Sequence, residues 1–310
     1  MTVRNIKILR IVLLFLFLIL APIFVLYAYG WRMDFEKLRP VKVGGVFLRS
    51  LPTDANLTIN GKPVKKRSHK LLTGALIGNL LPGNYTIQIE KYGYQKWRKE
   101  VLVAPALVFE TTPIILPPLK KPELFFEESV QDFWINGSVL IYHSADGNFY
   151  LAKIGDLSSR TNLSLMFNSL KEKILKFPGV VPILGIVKQE SSNEWVVRTA
   201  KASYLLDFKK LTLELLEKPI ISSGPEAFLR QFPLLSRWEK DYAGGSIKKI
   251  SSYSDDKHLF ATVGEKLFFL ELGDPMPLNV WLIAENVKKH EYESGRIYFL
   301  KNDKIYSLGI

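Results

Sequence analysis

The stretch from Ile11 to Tyr29 constrains this chain more than any other, because no charged side chain interrupts it. An apolar helix of about 20 residues spans the hydrocarbon of a bilayer, and a helix satisfies its own backbone hydrogen bonds there. Arg4, Lys7 and Arg10 precede the run, which by the positive-inside rule keeps the N-terminus in the cytoplasm. Arg32, Lys37 and Arg39 follow it and weaken that signal; Asp34 and Glu36 stand among them but count little in the rule. Tyr27, Tyr29 and Trp31 cluster at the far end, where amphipathic rings favour the membrane interface. Pro22 is tolerable in a membrane helix, as a kink. A cleaved signal peptide is the competing reading, but its apolar region would be about 7 to 15 residues. Bulky Tyr27, Tyr29 and Trp31 also surround the small Ala28 and Gly30. A buried helix of a globular domain, the third reading, fits badly with so long an uncharged run. No second span appears, since Val101–Phe109 and Ile114–Leu119 are short and proline-broken. The expected layout is a cytoplasmic tail (1–10), a transmembrane helix (11–29), a juxtamembrane linker (30–43) and an extracytoplasmic bulk: a single-pass protein of the cell membrane.

The chain's 310 residues suffice for roughly two domains. With 47% hydrophobic and 12% aromatic residues, packed cores are expected rather than disorder. The net charge of +12 is scattered rather than gathered in one block. It favours anionic partners such as lipid headgroups or an acidic wall polymer, but a solvated lysine-rich surface is the simpler explanation; no nucleic acid is expected. The absence of cysteine excludes disulfides, thiolate zinc sites, cysteine nucleophiles and a lipid-modified cysteine anchor.

From Gly44 to Pro118 the pattern turns to short runs of period two. Val46, Leu48 and Ser50 alternate with Phe47 and Arg49; Leu57 and Ile59 flank Thr58 and lead into Asn60-Gly61. Asn-Gly after an alternating run marks a tight hairpin, since both residues tolerate φ > 0. Leu81-Pro82-Gly83-Asn84 is a second turn, in which Gly83 is expected at positive φ as in a type II turn. Tyr85, Ile87 and Ile89 then line one face of a strand, with Tyr85 expected to enter the core. Lys96–Val103 reads as a further strand, and the whole as a small antiparallel sandwich.

The order Ser50-Leu51-Pro52, Ala55, Ile59-Asn60-Gly61, Leu80-Leu81-Pro82-Gly83-Asn84-Tyr85 and Lys91-Tyr92-Gly93-Tyr94-Gln95 resembles the PEGA domain, over about residues 45–116. That family commonly has a Thr-Pro turn after its glycine hairpin; here Thr73-Gly74 follows a longer basic insertion. The resemblance implies a small β-sandwich of envelope and surface proteins, acting as an interaction or spacer module without catalysis. Within the module, Lys65, Lys66, Arg67, His69 and Lys70 form a basic loop that could face an anionic surface, or simply solvent. Tyr92, Tyr94 and Trp97 could stack on a sugar, although strand aromatics more often pack a core.

Pro113, Pro117, Pro118 and Pro122 read as a stiff connector. Beyond it, over residues 119–310, a unit of strand, polar turn and strand recurs. Val139–Tyr142 turns into Phe149–Leu151, Trp195–Val197 into Tyr204–Leu206, Leu259–Ala261 into Leu267–Leu270, and Ile297–Leu300 into Ile305–Leu308. Such hairpins suggest degenerate propeller blades, at a length for four or five, or else an irregular β domain. Leu163, Met166, Phe167, Leu170, Ile174 and Phe177 follow a helical stripe, and Pro225–Arg230 opens a second short helix. The expected fold class is therefore mainly β: one transmembrane helix, a PEGA-like sandwich, then a propeller-like or irregular β domain with short helical insertions.

No catalytic pattern is apparent, and no enzyme, metal or cofactor is expected. His69, His143, His258 and His290 lack metal-ligand spacing, there is no Gly-rich phosphate loop, and Gly244-Gly245-Ser246 is not a nucleophile elbow. Asp255-Asp256 and Asp146-Gly147-Asn148 are explained as turns. The expected role is a membrane-anchored interaction or scaffold protein of the cell envelope. The alternatives are a glycan-binding or glycan-processing protein, which as a glycosidase needs two carboxylates about 5 to 10 Å apart, and a charge-driven binder of anionic wall polymer.

Overall fold

A computed structural model describes residues 3–35, 38–64, 74–111, 113–165, 183–188, 195–199, 203–207, 212–215, 235, 238, 245–255, 257–273 and 278–310. The fold is mainly β, with one long helix among these residues, and divides into two units: Met1–Leu119 with Gly273–Asn279, and Lys120–Leu272 with Val280–Ile310.

The first unit opens with α1 (Val3–Ala28), which contains Pro22. The side chains of residues 3–9 and 11 are outside the described set, and over the residues described no helix is long and apolar enough to cross a membrane. As a backbone element α1 is 26 residues long. Gly30, at φ 81°, ends it: its N–H donates back to the Tyr27 carbonyl at 3.1 Å, in the left-handed conformation that glycine adopts without penalty. The strands that follow are β1 (Trp31–Asp34), β2 (Arg39–Lys42), β3 (Gly44–Leu48), β4 (Ser50–Leu51), β5 (Asn56–Ile59), β6 (Lys62–Pro63), β7 (Ala75–Leu80), β8 (Gly83–Glu90), β9 (Trp97–Val103), β10 (Val108–Glu110) and β11 (Ile114–Ile115). The segment expected as a linker thus contains a paired hairpin, Trp31–Asp34 against Arg39–Lys42, with Trp31 opposite Lys42.

One sheet has the order β6-β5-β8-β9, another β10-β3-β7, and β4 pairs with β11. Period two governs burial: Trp97, Lys99, Val101 and Val103 are buried on β9, while the residues between them are exposed. The Lys99 ammonium donates to the Gly273 carbonyl at 2.9 Å. The Asn60-Gly61 turn forms as its residues require, at φ 49° and 75°.

Three expectations need correction. The sandwich is not antiparallel throughout, because β3–β10 and β4–β11 are parallel pairs. Gly83 has the expected positive φ, but at 158° it starts β8 rather than filling a type II turn, whose glycine sits near about +80°; Tyr85 is only partly buried, and its hydroxyl donates to the Leu81 carbonyl at 2.9 Å. The proline-bordered connector is in part core: Ile114, Ile115 and Leu116 are buried in β11 and just after it.

The second unit comprises β12 (Glu123–Phe126), β13 (Val130–Asn136), β14 (Val139–Ser144), β15 (Phe149–Lys153), β16 (Asp156–Asn162), β17 (Ile183–Lys188), β18 (Trp195–Thr199), β19 (Ser203–Asp207), β20 (Thr212–Leu215), β21 (Ile247–Ser252), β22 (His258–Val263), β23 (Lys266–Glu271), β24 (Asn279–Glu285), β25 (Val287–Glu293), β26 (Arg296–Lys301) and β27 (Lys304–Gly309). They make four sheets of four strands: β13-β14-β15-β16, β17-β18-β19-β20, β21-β22-β23-β24 and β12-β27-β26-β25. Each expected hairpin is the middle pair of one sheet or, for Val139–Leu151, Trp195–Leu206 and Leu259–Leu270, its second and third strands. The expected helical stripe lies outside the described residues from Met166 onward, as does Pro225–Arg230.

The unit's beginning is tied to its end. β12 pairs with β27, and Phe126 joins a buried cluster of Val130, Phe133, Leu140 and Tyr142 from the first sheet with Tyr298, Leu300 and Ile305 from the last. Backbone bonds repeat the theme: Val130 N–H donates to the Asp303 carbonyl in the β26–β27 turn, and Val287 N–H to Glu265 in the β22–β23 turn. Two of the four sheets thus have a first strand pinned to the hairpin turn of another sheet: β13 to that of the last, and β25 to that of β22–β23.

Candidate functional site

The four first strands share an irregularity. β13, β17, β21 and β25 each carry one extra residue at the start of the ladder, shifting register between Val130 and Asp132, Ile183 and Gly185, Ile247 and Lys249, and Val287 and Lys289. A bulge bends the strand and re-aims the side chain that follows it. Each of these strands is also an edge of its sheet. Charged side chains on such an edge protect it from pairing with another edge.

Asp132, Lys249 and Lys289 occupy equivalent positions just after three of the bulges, and they converge. Lys289 Nζ lies 2.6 Å from Asp132 Oδ1 and 3.7 Å from Glu291 Oε1, while Lys249 Nζ lies 2.5 Å from the same Glu291 oxygen. Lys289 also sits 4.1 Å over the Trp134 ring. The cluster is half-buried, with side-chain exposures of 17% at Glu291 to 35% at Asp132. Burial pulls the Lys249 ammonium below the ordinary lysine range, with Glu291 opposing the shift and Lys289 adding to it. Two cations and two anions therefore neutralise one another across three sheets. Both carboxylates are committed to lysines, which suits them to clasping the sheets together.

Beside the clasp, His290 is buried between β22 and β25, its Nδ1 2.6 Å from Thr262 Oγ1. Its pKa is pushed well below the usual histidine range by burial and by Lys249 and Lys289, so the ring is neutral at neutral pH. His258 is also buried, and its Nδ1 lies 2.8 Å from Asp255 Oδ2. Asp255 Oδ1 further accepts from the backbone N–H of Lys257 and His258, a turn role that agrees with the expectation for this segment. Asp146 serves its turn likewise, accepting from Asn148 N–H at 2.9 Å. Among the described residues no group of three or more His, Asp or Glu side chains could hold a metal ion.

The residues singled out from the sequence do not assemble into this site. Lys65, Lys66, Arg67, His69 and Lys70 lie outside the described residues. Tyr92 is fully exposed, Tyr94 bridges to Pro118 with Lys91 Nζ 5.2 Å from its ring, and Trp97 is 0% exposed. Trp97 is a core residue, so the three aromatics do not form one sugar-stacking face. The clasp went unread because its members are far apart in sequence. Its local signal is an aliphatic residue, one spacer and a charge: Val130-Gln131-Asp132, Ile247-Lys248-Lys249 and Val287-Lys288-Lys289.

No family model and no curated protein matches this chain. Solved structures similar to it include PorZ of Porphyromonas gingivalis, a bacterial surface component of the type-IX secretion system (14% identity, TM-score 0.20, covering 72% of this chain and 25% of that one). A chain of the S. cerevisiae assembly of Dbp5 with Nup159 and Gle1 has 13% identity and a TM-score of 0.19, covering 61% and 42%. Hsv2 of Kluyveromyces lactis has 11% identity and a TM-score of 0.19, covering 59% and 45%. The chain thus spans less than half the length of each, and likeness at these scores carries no argument about fold or function.

Proposed function

We propose that this is a single-pass, membrane-anchored scaffold of the cell envelope. In this reading α1 is the anchor, with the N-terminus cytoplasmic. The first unit is a PEGA-like spacer, and the second is a small four-bladed propeller that serves as an interaction platform.

The observation that carries the proposal is the surface of α1. From Val12 to Leu26, thirteen large apolar side chains are each 38 to 66% exposed. Soluble proteins rarely leave so contiguous an apolar surface in water. Transferring that many Leu, Ile, Phe and Val residues to the centre of a bilayer is favourable by about 4 to 8 kcal/mol. The propeller reading is supported by the four sequential sheets, the recurrent bulge on each first strand, and the completion of the last sheet by β12. The PEGA-like reading rests on its residue pattern.

The test is protease shaving of intact cells expressing the chain with a C-terminal epitope, alongside alkaline carbonate extraction. The expected result is a carbonate-resistant protein whose epitope is removed by external protease. Carbonate release, or an epitope that persists while a known surface protein is digested, overturns the proposal.

A further inference from the structure

We propose that the β1–β2 hairpin lies in the headgroup layer of the membrane, with Trp31, Met33, Phe35 and Pro40 turned to the lipid. The inference rests on the reading of α1 as an anchor. Pairing Trp31 with Lys42 and Met33 with Pro40 puts those residues on one face of the hairpin; Arg32, Asp34, Arg39 and Val41 belong to the other. On the second face Arg32 and Asp34 are committed to protein, while Arg39 is exposed. Asp34 is 8% exposed, and Arg32 donates to the Tyr27 and Trp31 carbonyls and, at 3.1 Å, to Asn79 Oδ1.

The first face is more open: Trp31 is partly buried, while Met33, Pro40 and Lys42 are exposed. Met33 is 50% exposed, and at the tip Phe35 and Leu38 are 81% and 80% exposed. Hairpin tips in water favour Gly, Asn, Asp and Ser, so two large apolar side chains there imply an apolar partner.

Position and charge make that partner the bilayer. Only Tyr29 and Gly30 separate α1 from β1, and the Arg32 guanidinium lies 3.4 Å over the Tyr27 ring, fastening the hairpin to the helix end. A four-residue strand reaches only about 13 Å, so the hairpin stays near the boundary where α1 leaves the lipid. Arg39 and Lys42 are exposed, and Lys42 Nζ lies 5.6 Å from the Trp31 ring. Aromatic rings flanked by basic groups suit an interface of anionic phospholipid headgroups.

The chain has no cysteine, so single cysteines can be introduced and labelled cleanly. The full chain carrying Phe35→Cys, with a polarity-sensitive dye, is reconstituted into phosphatidylcholine–phosphatidylglycerol vesicles containing lipids spin-labelled near the headgroup. Glu127→Cys, at an exposed site of the second unit, is the reference. Vesicle flotation reads the anchor separately from the dye. Flotation with several-fold stronger quenching at Phe35→Cys than at Glu127→Cys is expected. Flotation with equal quenching overturns the hairpin proposal and leaves the anchor standing; failure to float overturns both. If unlabelled Phe35→Cys instead forms a disulfide between copies while the dye stays unquenched, the face belongs to a second copy and the lipid assignment falls.

Discussion

The two units differ in how far along the chain a strand finds its partners. In the second unit three sheets follow chain order, and among the described residues only β12 pairs with a distant strand, β27. In the first unit β3 pairs with β7 on one side and, in parallel, with β10 on the other, while β4 pairs in parallel with β11. Antiparallel neighbours meet through a short turn whose residues advertise it; parallel neighbours require a long return with no such mark. The second unit therefore builds its sheets locally and assembles them through edges and turns. The first depends on long-range pairing for its sheets themselves.

The largest expected effect tests whether these are separate bodies of structure. Trp97→Ala empties a site that is 0% exposed in the first unit, at a cost of about 3 to 5 kcal/mol. Hydrogen exchange should accelerate in β5, β8 and β9 while β22 and β23 keep their protection. Equal loss in both units would break the comparison.

Gly44→Val addresses the long-range pairing directly. A Cβ at Gly44 would stand 2.4 Å from the Ala104 carbonyl oxygen and 2.8 Å from that of Leu107, both backbone atoms just before β10. Overpacking of this kind costs about 1 to 3 kcal/mol. Denaturant melts should show that loss, and parental stability would mean that β3 and β10 do not approach so closely.

For the second unit, His290 reports on assembly between sheets. Its folded pKa is depressed, so below the ordinary value of 6.5 the unfolded chain takes up a proton that the folded chain refuses. Stability from this group should be intact above pH about 6.5 and fall by up to about 1.4 kcal/mol per pH unit as acid is added, until the folded-state pKa is reached. His290→Gln should flatten that part of the stability–pH curve relative to the parent. Two parallel curves would place the ring in water rather than between β22 and β25.

The smallest effect belongs to Gly83. Nothing lies within 4 Å of a Cβ built there, but φ 158° is a backbone conformation that residues with a side chain rarely adopt. Gly83→Ala should cost about 1 kcal/mol, through backbone strain alone. A loss as large as that of Trp97→Ala would restore the tight-turn reading of Leu81–Asn84.

Legibility followed the same division. Asn60-Gly61 announces a turn that both residues can adopt, and Ile87 and Ile89 announce a buried face; the structure contains both. The four C-terminal hairpins were equally plain, because alternation and turn residues act between neighbours. Tyr85 departs from that face because alternation assigns a face but not a depth: near the start of its strand it is only partly covered. The linker 30–43 hid a hairpin because its apolar residues serve an exposed face rather than a core. The clasp of Asp132, Lys249, Lys289 and Glu291 was invisible because no local rule relates charges so far apart in sequence.

Taken alone, then, the sequence determined what short-range physics determines: an uncharged helical run, strands of period two, hairpins at Asn, Asp and Gly, and the exclusion of cysteine chemistry. Tertiary structure decided which strands run parallel, that β12 completes the last sheet, that Trp97 is core rather than a binding surface, and that three of four equivalent bulges bring charges together. The reason is the same in each case. A turn or an alternation is specified by residues in direct covalent succession. A parallel pair, a shared edge or a cross-sheet ion pair is specified only once the chain has closed the loops between its members.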